Sequence, residues 1–130
     1  MNSVKASIKK QHYKTEIVTS ANSIISDEPL ENGGTNKGFS PSELLAASLA
    51  ACTSITLRMY ADRKGWLLEK IDVELNVERD EEKNITGFNR TIHFSPKLDA
   101  DSTTRLLAIA DKCPIHKILS NKIIITTSEL

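Results

Sequence analysis

Residues 40–65 constrain the fold more than any other part of the chain. The segment opens Ser40-Pro41-Ser42-Glu43 and then runs without glycine or proline to Lys64, where Gly65 follows. Each opening residue suits one position of a helix start. Ser40 can cap the first free N–H groups, Pro41 brings a fixed φ to the first helical position, and Glu43 can reach back to the cap backbone and close a capping box. Gly65 supplies a left-handed stop. The pattern predicts one helix over residues 41–64. Over residues 44–52 that helix is apolar or small on every side except at Ser48. A surface helix shows a polar stripe at each turn, so this one must be covered on more than one side. In a chain of 130 residues two arrangements satisfy that demand: a central helix wrapped by curved sheet, or helix-to-helix packing between two copies. Ala46, Ala47, Ala50 and Ala51 would let a second backbone approach closely.

The rest of the chain reads mostly as strands. Val4, Ala6 and Ile8 alternate with polar neighbours, and Ile17-Val18 and Ile24-Ile25 mark two further short strands. Residues 27–39 hold Pro29, Asn32, Gly33, Gly34, Asn36 and Gly38. They read as one exposed loop, long enough for a function to be suspected. Beyond Gly65, alternation through Ile71, Val73, Leu75 and Val77, a charged turn at residues 80–84 and a second run over 85–94 predict a hairpin. Leu106, Leu107, Ile109 and Ala110 recur at helical spacing within residues 101–112. A short helix over 114–119 and a last strand over 123–127 complete the order βββα ββ ααβ. This is an α+β class, with residues 1–130 forming a single domain without repeats.

Composition excludes several functions. With 39% apolar and 26% charged residues the chain has the make-up of a globular protein. Seventeen basic residues balance seventeen acidic ones, so no net field draws the protein to nucleic acid or to an anionic membrane. No unbroken apolar run comes near the roughly 20 residues of a bilayer-spanning helix. Residues 1–10 carry no signal-peptide pattern. A cytoplasmic location is therefore expected, and in that reducing compartment two cysteines point to catalysis, redox sensing or burial rather than a structural disulfide.

Those cysteines are the candidates for chemistry. Cys52 lies in mid-helix among alanines and leucines, where the plainer role is that of a small hydrophobe. Cys113 precedes Pro114 and so falls at the N-cap of a new helix, where N–H groups and the helix dipole favour a thiolate; the plainer role is that of a turn residue. His116 follows three residues later, while His12 and His93 fall in strands. A zinc set of Cys52, Cys113, His93 and His116 lacks any CxxC or HxxxH spacing, and no phosphate-binding loop or nucleophile elbow is present. No metal and no cofactor is expected.

The segments GFSPSELLAASLAACTS, residues 38–54, and ADKCPIHKIL, residues 110–119, together resemble the OsmC/Ohr family of osmotically inducible and organic-hydroperoxide-resistance proteins. Residues 53–66, TSITLRMYADRKGW, resemble a less characterised OsmC-like branch of it. The resemblance implies an OsmC-like fold, in which a long central helix packs against curved antiparallel sheets in an intertwined homodimer. It also implies a thiol-dependent peroxidase that acts on organic hydroperoxides in oxidative-stress defence. Cys52 then matches the peroxidatic thiol that becomes a sulfenic acid, Cys113 matches the resolving thiol, and a dithiol reductant such as a dihydrolipoyl group resets the pair. Peroxidases of the family set an arginine from the N-terminal part of the chain, and a glutamate ten residues before the first cysteine, beside the thiolate. Here the first arginine is Arg58 and the glutamate position holds Ser42. Glu43 and Lys37 become the candidates for those two roles, with Lys14 and His116 behind Lys37. The rival function is a non-enzymatic binding module that holds a small apolar or thiol-reactive ligand at the dimer interface. The missing arginine favours the rival, and retention of both cysteines favours the enzyme.

Overall fold

A computed structural model describes residues 3–129; Met1 and Asn2, where the N-terminal alternation begins, lie outside them. The chain divides into two compact units, Met1–Leu45 and Ala46–Leu130.

The first unit holds a three-stranded antiparallel sheet of β1 (Lys5–Ile8), β2 (Thr15–Val18) and β3 (Ser23–Ser26), in that order. Ile17 is the centre of the register, opposite Ala6 on one side and Ile24 on the other. The loop that follows is largely exposed, as its glycines suggest, but its first residue is a buried anchor. Asp27 is only 2% exposed. Its carboxylate accepts hydrogen bonds from the backbone N–H groups of Tyr13, Glu28 and Lys37 at 3.1, 2.7 and 3.1 Å, and from the Thr35 hydroxyl at 2.6 Å. The turn formers let the chain close around that carboxylate. A Cβ on Gly34 would sit 2.0 Å from the Glu28 carbonyl oxygen, and one on Gly38 would sit 1.9 Å from that of Ile25, so only glycine permits these approaches.

Such a donor set stabilises the ionised form. The Thr35 hydroxyl, followed by the Lys37, Tyr13 and Glu28 amides, holds the Asp27 carboxyl well below the usual carboxylate range against the opposing effect of burial. A depressed folded-state value stabilises the fold above the unfolded pKa of about 4, and that stabilisation is lost as the pH falls toward the folded value. Asp27→Asn is therefore expected to lower the Tm at pH 7 by on the order of 5 °C. The gap between variant and wild type should begin to narrow below about pH 4 and close only as the pH approaches the depressed folded-state value, which thermal melts followed by circular dichroism at stepped pH will read.

Helix α1 (Pro41–Lys64) begins with the expected capping box. The Ser40 N–H donates to Glu43 Oε1 at 2.9 Å, and the Glu43 N–H donates to Ser40 Oγ at 3.2 Å. It ends in a Schellman motif, with the Gly65 N–H on the Asp62 carbonyl, the Trp66 N–H on that of Ala61, and Gly65 at φ 69°.

In the second unit β4 (Lys70–Asp80) and β5 (Ile85–Ser95), 11 residues each, form an antiparallel hairpin in which Ile71 faces Phe94 and Val77 faces Phe88. Two helices follow. Helix α2 (Ala100–Ala110) is capped by Asp99, which accepts from the Ser102 N–H, and α3 (Pro114–Ser120) is capped by Cys113. Leu57 and Ala61 of α1, Leu68, Phe94 of β5, and Leu106 and Ala110 of α2 form the buried core. By length and composition α1 is apolar enough to cross a bilayer, which counting unbroken apolar runs had not suggested. The core helix of a globular domain passes the same test, and Leu57 and Ala61 keep no exposed surface because they pack into this cluster.

One element departs from the expected order. Residues 123–127 form no strand among the described residues, and Ile124 and Ile125 are 77% and 85% exposed. A β-branched run favours the extended conformation but becomes a strand only where a neighbour takes up its N–H and C=O groups. Among the described residues no such neighbour pairs with it.

Candidate functional site

Cys113 owes its setting to Pro114. A residue before proline is held extended, and proline at the first helical position needs no N–H partner. Cys113 accordingly has φ −65° and ψ 143°, and its Sγ accepts the His116 backbone N–H at 3.3 Å. The thiol is fully buried.

Against it lies Thr53 of α1, also fully buried, with Oγ1 at 4.0 Å from Cys113 Sγ. Thr53 follows Cys52 directly in the chain, so the fold brings the second cysteine to the neighbour of the first. Cys52 itself is half-buried, and both sulfurs are free thiols.

Arg90 of β5 supplies the charge. Its side chain is 12% exposed and shares a strand face with Phe88, Ile92 and Phe94. Nη1 donates to Thr53 Oγ1 at 2.9 Å and to the Ala110 carbonyl at 3.3 Å. Nη2 donates to Asp111 Oδ1 at 2.9 Å and meets His116 Nδ1 at 3.2 Å. A guanidinium can only donate, so His116 Nδ1 is the acceptor and the ring proton sits on Nε2. The hydrogens of both terminal nitrogens are thus spent within the protein, and the guanidinium organises the site rather than waiting for an anion. Leu49, Phe88, Arg90, Asp111, His116 and Leu119 are among the residues that line a cavity of about 440 Å³ beside this network.

The other two expected site residues belong to the first unit. The Glu43 carboxylate is engaged as the helix cap, and the Ser40 backbone and hydroxyl hold it below its ordinary range. Lys37 gives its backbone N–H to Asp27. Thr53, Arg90 and Asp111 did not emerge from the sequence reading. Arg90 left a trace there: it is the one charged residue on a strand face that otherwise carries Phe88, Ile92 and Phe94. No cluster of three or more histidine, cysteine or acidic side chains suited to a metal ion occurs among the described residues.

Known structures share this arrangement of elements. A protein of Psychrobacter arcticus, described as an osmotic stress induced and detoxification response protein, superposes with a TM-score of 0.79 at 25% identity, over 91% of this chain and 88% of its own. An organic hydroperoxide resistance protein OsmC of Legionella pneumophila gives 0.67 at 24%, over 91% and 88%. The organic hydroperoxide resistance protein OhrB of Bacillus subtilis gives 0.63 at 21%, over 91% and 89%. None of the curated proteins matches the chain. The family model for OsmC-like proteins matches residues 34–128, a span that takes in α1 with Cys52, the hairpin with Arg90, and the Cys113-Pro114 cap. By that match and that fold, the chain belongs to the OsmC-like protein family.

Proposed function

We propose that this protein is a thiol-dependent peroxidase that reduces organic hydroperoxides through Cys52 and Cys113. The family relationship supports a role in hydroperoxide resistance or oxidative stress. The observation that carries the finer reading is the placement of Cys113 against Thr53, the residue next to Cys52, with Arg90 bonded to the same hydroxyl.

The chemistry balances without a metal or cofactor. The Cys52 thiolate attacks the distal peroxide oxygen; an S–O bond forms, the O–O bond breaks, and the alkoxide leaves and takes up a proton as the alcohol. Cys113 then attacks the sulfenic sulfur, so that an S–S bond forms, the S–O bond breaks, and hydroxide leaves with the Cys113 proton as water. A dithiol reductant restores both thiols by exchange and is itself oxidised to a disulfide. Dependence on a thiol reductant fits a cytoplasmic setting.

The functional unit in this reading is a homodimer. Leu45, Ile55 and Met59 on α1 and Ile123, Ile124 and Ile125 near the C-terminus are all exposed, and a second copy would bury them. A non-enzymatic binding module is the alternative, and the cavity beside Arg90 and His116 favours it.

Turnover separates the two. Reduced protein with cumene hydroperoxide and dihydrolipoate is expected to consume peroxide catalytically, with glutathione a much poorer reductant. Consumption no faster than in buffer would leave the binding module as the better reading.

A further inference from the structure

The hydroxyl of Thr53 has a single proton to give. In the reduced protein the hydroxyl donates that proton to the Leu49 carbonyl oxygen at 2.7 Å, while Arg90 Nη1 donates to the hydroxyl oxygen at 2.9 Å. The contact with Cys113 Sγ at 4.0 Å is then made by the remaining lone pair. With the hydroxyl proton committed to Leu49, a protonated Cys113 sulfur would be the donor at that contact.

Loss of the thiol hydrogen inverts the geometry. The Thr53 O–H can swing from Leu49, whose carbonyl keeps its helical N–H partner, onto the thiolate. Arg90 stays bonded behind it and polarises the O–H toward sulfur.

We infer that Thr53 is a two-position hydrogen-bond donor that stabilises the Cys113 thiolate and that Arg90 is the residue that drives it. Both are positioning residues for the step in which Cys113 attacks the Cys52 sulfenic acid. The inference rests on the peroxidase reading and goes beyond it by assigning the resolving thiol its own activating group.

The charged and titratable groups facing Cys113 are Arg90 from β5, Asp111 beyond the end of α2 and His116 from α3; α1 contributes the neutral Thr53. Asp111 is 66% exposed and shares its charge with solvent, whereas Arg90 is 12% exposed.

Rapid-quench mass spectrometry with cumene hydroperoxide separates the two steps, since sulfenic acid and disulfide differ in mass. Thr53→Val and Arg90→Gln are expected to slow disulfide closure by about tenfold, the effect of losing one charge-assisted donor, with the rate of sulfenic acid formation unchanged. Thr53→Ser should restore closure, Arg90→Lys should restore it in part, and Asp111→Asn should close at least as fast as wild type. Closure at the wild-type rate in Thr53→Val, or equal slowing of both steps, would overturn the inference.

A wild type that forms no disulfide would remove the peroxidase reading without deciding the role of Thr53. Iodoacetamide labelling of Cys113 in a Cys52→Ser background decides it independently. There Thr53→Val should slow labelling at neutral pH by about tenfold, the effect of losing one charge-assisted donor, and equal rates would overturn the inference.

Discussion

Cys52→Ser is expected to abolish peroxide consumption, with the rate falling at least about a thousandfold, because a serine hydroxyl is not ionised near neutral pH and cannot attack the O–O bond. Cys113→Ser should behave differently. It keeps the attacking thiol, so one equivalent of peroxide reacts and the protein then stalls with a sulfenic acid on Cys52, which dimedone will label. The substitution is also structurally mild. Serine is a preferred N-cap, so it can accept the His116 N–H that Cys113 Sγ now accepts. Loss of recycling in this variant would therefore report chemistry rather than misfolding. A Cys113→Ser protein that turns over like wild type would remove the resolving role.

Leu57→Ala carries the largest expected effect on stability. Leu57 has no exposed surface and packs in one cluster with Ala61, Phe94 and Leu106, so that α1, β5 and α2 meet around it. Truncation removes the transfer free energy of the lost carbons and leaves a cavity among neighbours that cannot all relax, a combined cost of about 2–5 kcal/mol. For a domain of this size the Tm should fall by roughly 10 °C. Leu67→Ala is the control. Leu67 is 89% exposed, and a surface truncation of this kind stays within about 0.5 kcal/mol. Urea denaturation of the three proteins will show whether the core lies at Leu57, and equal midpoints would contradict that placement.

The sequence disclosed what local physics decides. Ser40, Glu43 and Gly65 announce both ends of α1 because capping depends on residues within one turn of each other. The β4–β5 hairpin was legible because alternation through Ile71, Val73, Leu75 and Val77 needs only one buried face.

What depends on distant partners stayed hidden. Asp27 reads as a loop residue, and its burial follows from donors at Tyr13, Thr35 and Lys37 that the loop closes around it. Residues 123–127 have the composition of a strand, but a strand also requires an edge to pair with. Arg90 was the residue most open to earlier detection, since a charge set among Phe88, Ile92 and Phe94 must be paired once that face is buried. Its partners, Thr53 and His116, lie 37 and 26 residues away, and periodicity within one strand cannot reveal them.

The account depends on Cys52 and Cys113 acting as one redox pair, and a peptide map tests that most directly. The reduced wild type is treated with one equivalent of cumene hydroperoxide, free thiols are blocked with iodoacetamide, and the protein is digested with trypsin without reduction. The pair predicts a single cross-linked species that joins residues 38–58, which contain Cys52, to residues 113–117, which contain Cys113. Recovery of both peptides separately, each alkylated in full, would contradict it.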